Sequence, residues 1–451
     1  MSNMMKGTRR RALKLRRVFL LTVAMLALAL AGAVTIPAVA PDAGASIADF
    51  LRSVVGPEPV ALLESTVFQL QDTLNRAKYN VTHDGGQVAW ASSAVLTQTQ
   101  SIVTYYQPTP TAPPTSVSPV PIPHALKYGS PATTTTPTTS ASTATPVKPR
   151  PTPTAVVIKN VVDAAPAAGT GWQAFGMLSP DQTPIMARTA LKPDPSRPYA
   201  NAAAIRIDLS LARLHLVPGT LEPTFAPGEP SFNRPGVIPA SDALNNVLVA
   251  AFNGGFKAIH GKYGMMFNGK VILPPVKGIA TVGFYRDGSI RIGAWGVGIT
   301  QTADLISYRQ NCPLLVDQGR VRPNINIADV LSWGYTGGNP AATWRSGLGL
   351  SQDGRFLIYV AGNSLTAQTL GNALQQAGAY YGMQLDINGF YTRFYTYEPV
   401  KPGSGSLQAV RLLQAMSGSA TQYLTPYPRD FFYVTALTGT NIDAVRQPTM
   451  R

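Results

Sequence analysis

Three widely separated stretches of this 451-residue chain each end an apolar run on a polar side chain beside glycine. They are Asn253-Gly254-Gly255-Phe256, Trp344-Arg345-Ser346-Gly347-Leu348-Gly349, and Leu385-Asp386-Ile387-Asn388-Gly389. The pattern is that of a buried strand handing one functional group to a loop. Asp386 offers a carboxylate that can act as a nucleophile or as a base for water. Arg345 offers a guanidinium that pairs bidentately with anionic oxygen and keeps its charge. Asn253 can orient a hydroxyl, and the backbone amides of Gly254 and Gly255 can be aimed at an anion or a sugar. His260 is the only histidine between Lys257 and Gly264. It would titrate near neutral pH as an acid or base. Asn388, two residues after Asp386, joins Gly254, Gly255 and His260 in the candidate substrate-binding set. Each assignment has a plainer counterpart. Gly254-Gly255 can be an ordinary tight turn, Arg345 can pair with a surface carboxylate, Asp386 can cap a turn, and His260 can sit on a solvated loop.

The elements that would position these groups are mostly strands. Asn268-Gly269, Asp287-Gly288 and Asp353-Gly354 lie between apolar flanks, the strongest short-range hairpin signal, and Asp317-Gln318-Gly319-Arg320 suggests a fourth hairpin. Ala203, Ile205, Ile207 and Leu209 alternate as a strand, with Leu214 and Leu216 in its expected partner. One clear helix interrupts them, capped by Thr366, running through Leu370, Ala373 and Leu374, and closed by Gly378. A short helix capped by Ser241 is expected to feed the strand from Val247. The fold class is therefore α+β: a largely antiparallel or mixed sheet domain with a few inserted helices, over residues 156–451.

The remainder differs in texture. Lys6, Arg9, Arg10, Arg11, Lys14, Arg16 and Arg17 supply seven of the net +15 charges within a basic segment, residues 1–17. The rest has no Lys/Arg-dense run and no zinc-finger spacing, which argues against nucleic acid as a partner. Residues 18–36 follow without a charge. Nineteen residues at ~1.5 Å each can span a bilayer, with the chain beyond lying outside the cytoplasm. A cleaved signal ending at Ala38-Val39-Ala40 is the rival reading, and would make the protein secreted. Within the helical segment 41–105, Val60, Leu63, Val67, Leu70, Leu74 and Ala77 recur at heptad spacing. This suggests a helix over 57–78 that packs on its own chain or pairs weakly with a second copy. Residues 106–155 hold thirteen prolines among Thr, Ser and Ala, a disordered linker that cannot bury enough surface to fold. Cys312 is the only cysteine, more in keeping with a small buried residue than with a nucleophile.

Taken in order, the three polar stretches resemble the phosphodiester glycosidase family. Its Asn-Gly-Gly-Phe motif is matched by Asn253 to Phe256, and its Arg-Thr-Ala-Ile-Gly motif is similar to Arg345 to Gly349 followed by Asp353-Gly354. Its third motif, Leu-Asp followed by three glycines and serine, is kept as Leu385-Asp386. Ile387-Asn388-Gly389-Phe390 stand in place of most of the glycine run. The resemblance spans roughly 170 to 440 and implies hydrolysis of a bond between a sugar and a phosphodiester, with Asp386, Arg345 and Asn253 as the catalytic set. The residues suit that chemistry: the leaving phosphate monoester is already a stable anion, so the site needs an anion binder and support for an oxocarbenium-like transition state. No cofactor is implied. The scattered histidines and single cysteine give no tight zinc set, and no EF-hand loop is present. The expected function is an exported, membrane-anchored hydrolase of a sugar phosphodiester or related linkage in cell-surface polysaccharide. A non-catalytic wall or polysaccharide binder on the same fold is the alternative, and interaction through the 57–78 helix a third.

Overall fold

The computed structural model describes residues 50–52, 54–85, 88, 90, 102–104, 171–245, 247–323, 325, 333–334, 342–399, 406–419 and 421–437. Residues 1–49, which include the expected anchor, and the expected linker at 106–155 lie outside these, as do 156–170. Among the described residues no helix is long and apolar enough to cross a membrane.

In chain order, helix α1 (Pro57–Thr82) precedes β1 (Ile102–Thr104), β2 (Gln173–Leu178), β3 (Pro184–Leu191), β4 (Ala202–Asp208) and β5 (Ala212–Val217). Helix α2 (Ala240–Leu244) leads to β6 (Leu248–Asn253), β7 (Met265–Phe267), β8 (Lys270–Leu273), β9 (Ala280–Tyr285) and β10 (Ile290–Ala294). Then come β11 (Leu305–Gln310), β12 (Leu314–Asp317), β13 (Arg320–Val321), β14 (Thr343–Leu350) and β15 (Phe356–Leu365). Helix α3 (Ala367–Gln376), β16 (Tyr381–Ile387), β17 (Phe394–Pro399), β18 (Ser406–Arg411) and β19 (Phe431–Ala436) complete it. They form three sheets: eight strands ordered β13-β12-β16-β14-β15-β4-β3-β2, six ordered β1-β18-β17-β6-β19-β5, and five ordered β10-β9-β11-β7-β8. Among the described residues the strand ladders are antiparallel, so the α+β expectation holds in its antiparallel form.

All four turn signals form hairpins, because each places φ > 0 where the turn demands it. Asn268 and Gly269 (φ 48° and 78°) join β7 to β8, and Gln318 and Gly319 (50° and 75°) join β12 to β13. Gly288 and Gly354 close the β9–β10 and β14–β15 turns. The expected pairing of Ala203–Leu209 with Leu214–Leu216 does not occur: β4 lies between β3 and β15, whereas β5 pairs with β19 in another sheet. Asp208 explains the corner. Its carboxylate accepts from the Ser210 amide and hydroxyl, and the Leu209 amide donates to Arg355 O, turning the chain between sheets instead of back on itself. Ser241 likewise sits inside α2, whose N-cap is Pro239.

Helix α3 explains the glycines of the second motif. Thr366 and Thr369 form a reciprocal capping box, and Gly378 takes φ 94° after the last turn. The buried face, Leu370, Ala373 and Leu374, packs on one side of the eight-stranded sheet with Val316, Ile358 and Val360. A Cβ at Gly347 would stand 3.0 Å from a Leu374 methyl, and one at Gly349 2.7 Å from Ala379. Alternate glycines thus give the helix a flat track, while Leu348 and Leu350 enter the larger core on the other face.

Helix α1 is the predicted helix, with Pro57 in its first turn. The expected seam divides: Val60 and Val67 are buried within this chain, whereas Leu70 and Leu74 are exposed. The helix is tied to the β domain by polar contacts. Asp72 pairs with Arg197 and accepts from Tyr199, Asn75 donates to Ser364 Oγ (3.2 Å), and Glu64 accepts from Asn388 Nδ2 (3.4 Å).

Candidate functional site

Asn253 ends β6 and is buried. Its Nδ2 donates to Ser346 Oγ (2.9 Å) and Gly254 O (3.1 Å), and its Oδ1 accepts from Tyr359 Oη and the Arg393 amide (both 3.0 Å). A carboxamide has two donors and two acceptor sites, so this side chain is fully occupied by the protein. Ser346 Oγ in turn donates to Asp386 O (2.8 Å), and the Asp386 amide donates to Gly254 O (3.0 Å). The three stretches singled out in the sequence therefore meet, and Asn253 and Ser346 are the clamp between them.

The Gly254 and Gly255 amides are both taken up by Asp430, and only Gly255 meets its carboxylate. Gly254 N–H donates to Asp430 O and Gly255 N–H to Asp430 Oδ2 (both 3.1 Å). Neither glycine has positive φ. They are glycines because of crowding: a Cβ on Gly254 would lie 2.1 Å from Asp430 Oδ2, and one on Gly255 2.9 Å from Arg309 Nη2. Arg309 and Asp430 form a fully buried bidentate pair (Nε–Oδ2 2.8 Å, Nη2–Oδ1 3.2 Å). The remaining Arg309 donors hold Phe256 O, Tyr263 O and Gln310 O. This saturated pair is the floor on which the first loop rests.

Arg345 and Ser346 point to opposite sides of β14, as neighbours on a strand must. Arg345 is 2 % exposed and donates to Leu365 O (3.0 Å), Trp333 O (3.1 Å) and Gln384 Oε1 (2.8 Å). Burial lowers its guanidinium to about 10. These contacts pin β14 to β16 and to the segment at Trp333.

Asp386 is placed by a β-bulge. Arg345 pairs with Ile387 but Gly347 with Gln384, so Leu385 and Asp386 together oppose Ser346, which re-aims the Asp386 side chain. Its Oδ1 accepts from the Ile387 amide (2.9 Å) and its Oδ2 pairs with Arg429. Burial raises the carboxyl to about 6, with Arg429, then the Ile387 amide and last Lys257 pulling the other way. Arg429 lies over the Tyr391 ring, 3.9 Å from its centroid, and donates weakly to Gly255 O (3.4 Å). Its Nη1 is buried with no hydrogen-bond partner among the described residues. The third loop closes on Asn388, at φ 79°, whose Oδ1 accepts from Phe390 N while Tyr391 N and Thr392 N donate to its carbonyl. Asparagine tolerates this left-handed conformation.

His260 is half-buried on the short turn Ala258–His260 beside Lys257. Cys312 is wholly buried, accepts from Gln384 Nε2, and its thiol is pushed up to about 12 by burial. Among the described residues no cluster of His, Cys, Asp or Glu could hold a metal ion. A cavity of about 280 Å³ opens beyond Trp344, and Asn253, Arg345 and Asp386 do not line it. Arg429, Asp430 and Arg309 were not singled out in the sequence. Arg429-Asp430, directly before the apolar run Phe431–Val434, is the same signal of polar groups at a strand end, without glycine to mark it.

Fold and site together define an antiparallel β domain with a buried carboxyl–guanidinium centre where β16 ends and β19 begins. Residues 246–402, just over a third of the chain, match the model of the phosphodiester glycosidase family. The match includes the stretches around Asn253, Arg345 and Asp386; Arg429 lies beyond it. No curated protein matches the chain. Among solved structures, the chain is similar to the catalytic domain of a zebrafish N-acetylglucosamine-1-phosphodiester alpha-N-acetylglucosaminidase, auto-inhibited by its pro-peptide. Identity is 14 %, covering 60 % of this chain and 88 % of that one, with a TM-score of 0.34. A hypothetical protein from Synechocystis is similar at 12 % identity, covering 53 % of this chain and 59 % of that one, with a TM-score of 0.33.

Proposed function

We propose that this protein is a hydrolase that cleaves the bond between an anomeric carbon and a phosphodiester oxygen in a surface polysaccharide or its precursor. The observation that carries the reading is the Asp386–Arg429 pair, with the buried Arg429 Nη1 beside it lacking a hydrogen-bond partner among the described residues. A phosphate oxygen bound at Nη1 would be held within reach of the carboxyl, and Arg429 would neutralise the departing phosphate monoester. Asp386 then supplies either the nucleophile at the anomeric carbon or the base for an attacking water. Asn253, Ser346 and Arg345 brace the site. Lys257 acts electrostatically on the carboxyl; His260 is a candidate acid or base and Asn388, two residues after Asp386, a candidate substrate contact.

The basic segment and residues 18–36 would anchor the protein, with 106–155 as a stalk that lets the catalytic domain reach the surface polymer. Hydrolysis of a UDP-sugar in heavy-oxygen water tests the reaction. Glycosidic cleavage releases free sugar and unlabelled UDP; label in the phosphate would mean attack at phosphorus and would refute this chemistry.

The non-catalytic binder has one observation in its favour: Asp386 is only 5 % exposed and already paired. Polysaccharide binding without turnover of any sugar phosphodiester would establish it.

A further inference from the structure

The cavity beyond Trp344 belongs to no part of the site described above. It lies between α1 and the eight-stranded sheet, and at about 280 Å³ it is close to the ~300 Å³ at which small-ligand sites begin. Three aromatic side chains, Tyr79, Tyr199 and Trp344, line it together with three carboxamides, Asn75, Asn201 and Asn363. Tyr79, Tyr199 and Trp344 are each half-buried. The only charged lining groups are Lys78 and Asp84, one of each sign and both exposed.

Flat rings beside neutral amides, with charges cancelling at the edge, suit a ligand that has apolar C–H faces and a rim of hydroxyls. An anion would meet a single cation, and a purely apolar ligand would strand the exposed Asn363 amide and the buried Asn201 Oδ1, which has no hydrogen-bond partner among the described residues. We infer that this cavity is a sugar-ring subsite for a neutral glycan. Tyr79 and Trp344 supply the stacking surfaces, and Asn363, exposed and directly before Ser364, supplies hydrogen bonds to hydroxyls.

Its placement connects it to Asp386. Trp344 O accepts from the Asn388 amide, and a Cβ on Gly389 would lie 3.0 Å from the indole, so the same residue borders the cavity and the third loop. Helix α1 runs between the two, contacting Asn388 through Glu64 and lining the cavity from Asn75 to Tyr79. Eleven residues separate Glu64 from Asn75, a span of ~16 Å. A glycan seated in the cavity would therefore be an extended one if its far end reaches Asp386. In that respect the subsite rests on the hydrolase reading; as a binding site it does not.

The test is titration of the full-length chain with maltotriose, cellotriose and triacetylchitotriose, followed by tryptophan fluorescence. The expected result is saturable binding of at least one, weakened about tenfold or more by Tyr79→Ala and by Asn363→Ala and largely kept by Tyr79→Phe. Release of sugar from a UDP-sugar should stay unchanged in these variants. Failure of all three glycans to bind, or equal binding by wild type and both alanine variants, overturns the subsite. Tyr79-dependent binding in a protein that turns over no phosphodiester would uphold the subsite and remove the hydrolase reading instead.

Discussion

Asp386 and Arg429 hold opposing demands on one carboxyl. Burial raises it to about 6 and the guanidinium lowers it, so the ionised form needed by a nucleophile or base accumulates as pH rises through that value. On the proposed mechanism kcat/KM has an ascending acidic limb near pH 6. Arg429→Gln removes the downward pull and must move that limb to higher pH, while raising KM for a phosphorylated substrate; a pH–rate profile of the two proteins checks both. Asp430 makes a different prediction. Its carboxylate neutralises a fully buried Arg309 and receives the Gly255 amide, so Asp430→Ala strands a charge. Loss of one partner of such a pair costs about 3–5 kcal/mol, readable as a denaturant midpoint shift.

At the scale of elements, much was legible because it is written locally. Asn268-Gly269 and Asp353-Gly354 carry their turn chemistry in two residues, and Thr366 and Gly378 mark both ends of α3. What sequence could not show is how distant elements meet. The separation of β4 from β5 depends on Asp208 bonding at a corner and on strands far along the chain. The roles of the site glycines were hidden for the same reason: Gly254 answers to Asp430, 176 positions later, and Gly349 to the turn after α3. Arg345 looked like an anion binder because its type suits one, yet three buried oxygens across the strand ends take its donors. Gly349→Ala places a methyl 2.7 Å from Ala379. It should destabilise the domain by about 1–3 kcal/mol through overpacking of α3 on β14, measurable by thermal melting.

For the whole molecule, the domain that carries Asp386 is one part of a longer arrangement. The charge-free run at 18–36 and the proline-rich 106–155 give composition-level expectations about location and reach. Full-length protein should sediment with membranes and resist carbonate extraction, and removal of residues 1–36 should release it; a soluble full-length protein would contradict the anchor. Helix α1 belongs to the β domain by its contacts at Asp72, Asn75 and Glu64, which explains why Val60 and Val67 of its apolar seam are buried within its own chain.

The most direct measurement of the central claim is the rate of sugar release from a sugar phosphodiester by wild type and by Asp386→Asn at equal folded concentration. A loss of about a hundredfold or more in kcat is predicted, the scale expected for removing a positioned carboxylate. Turnover by Asp386→Asn at the wild-type rate would contradict the account.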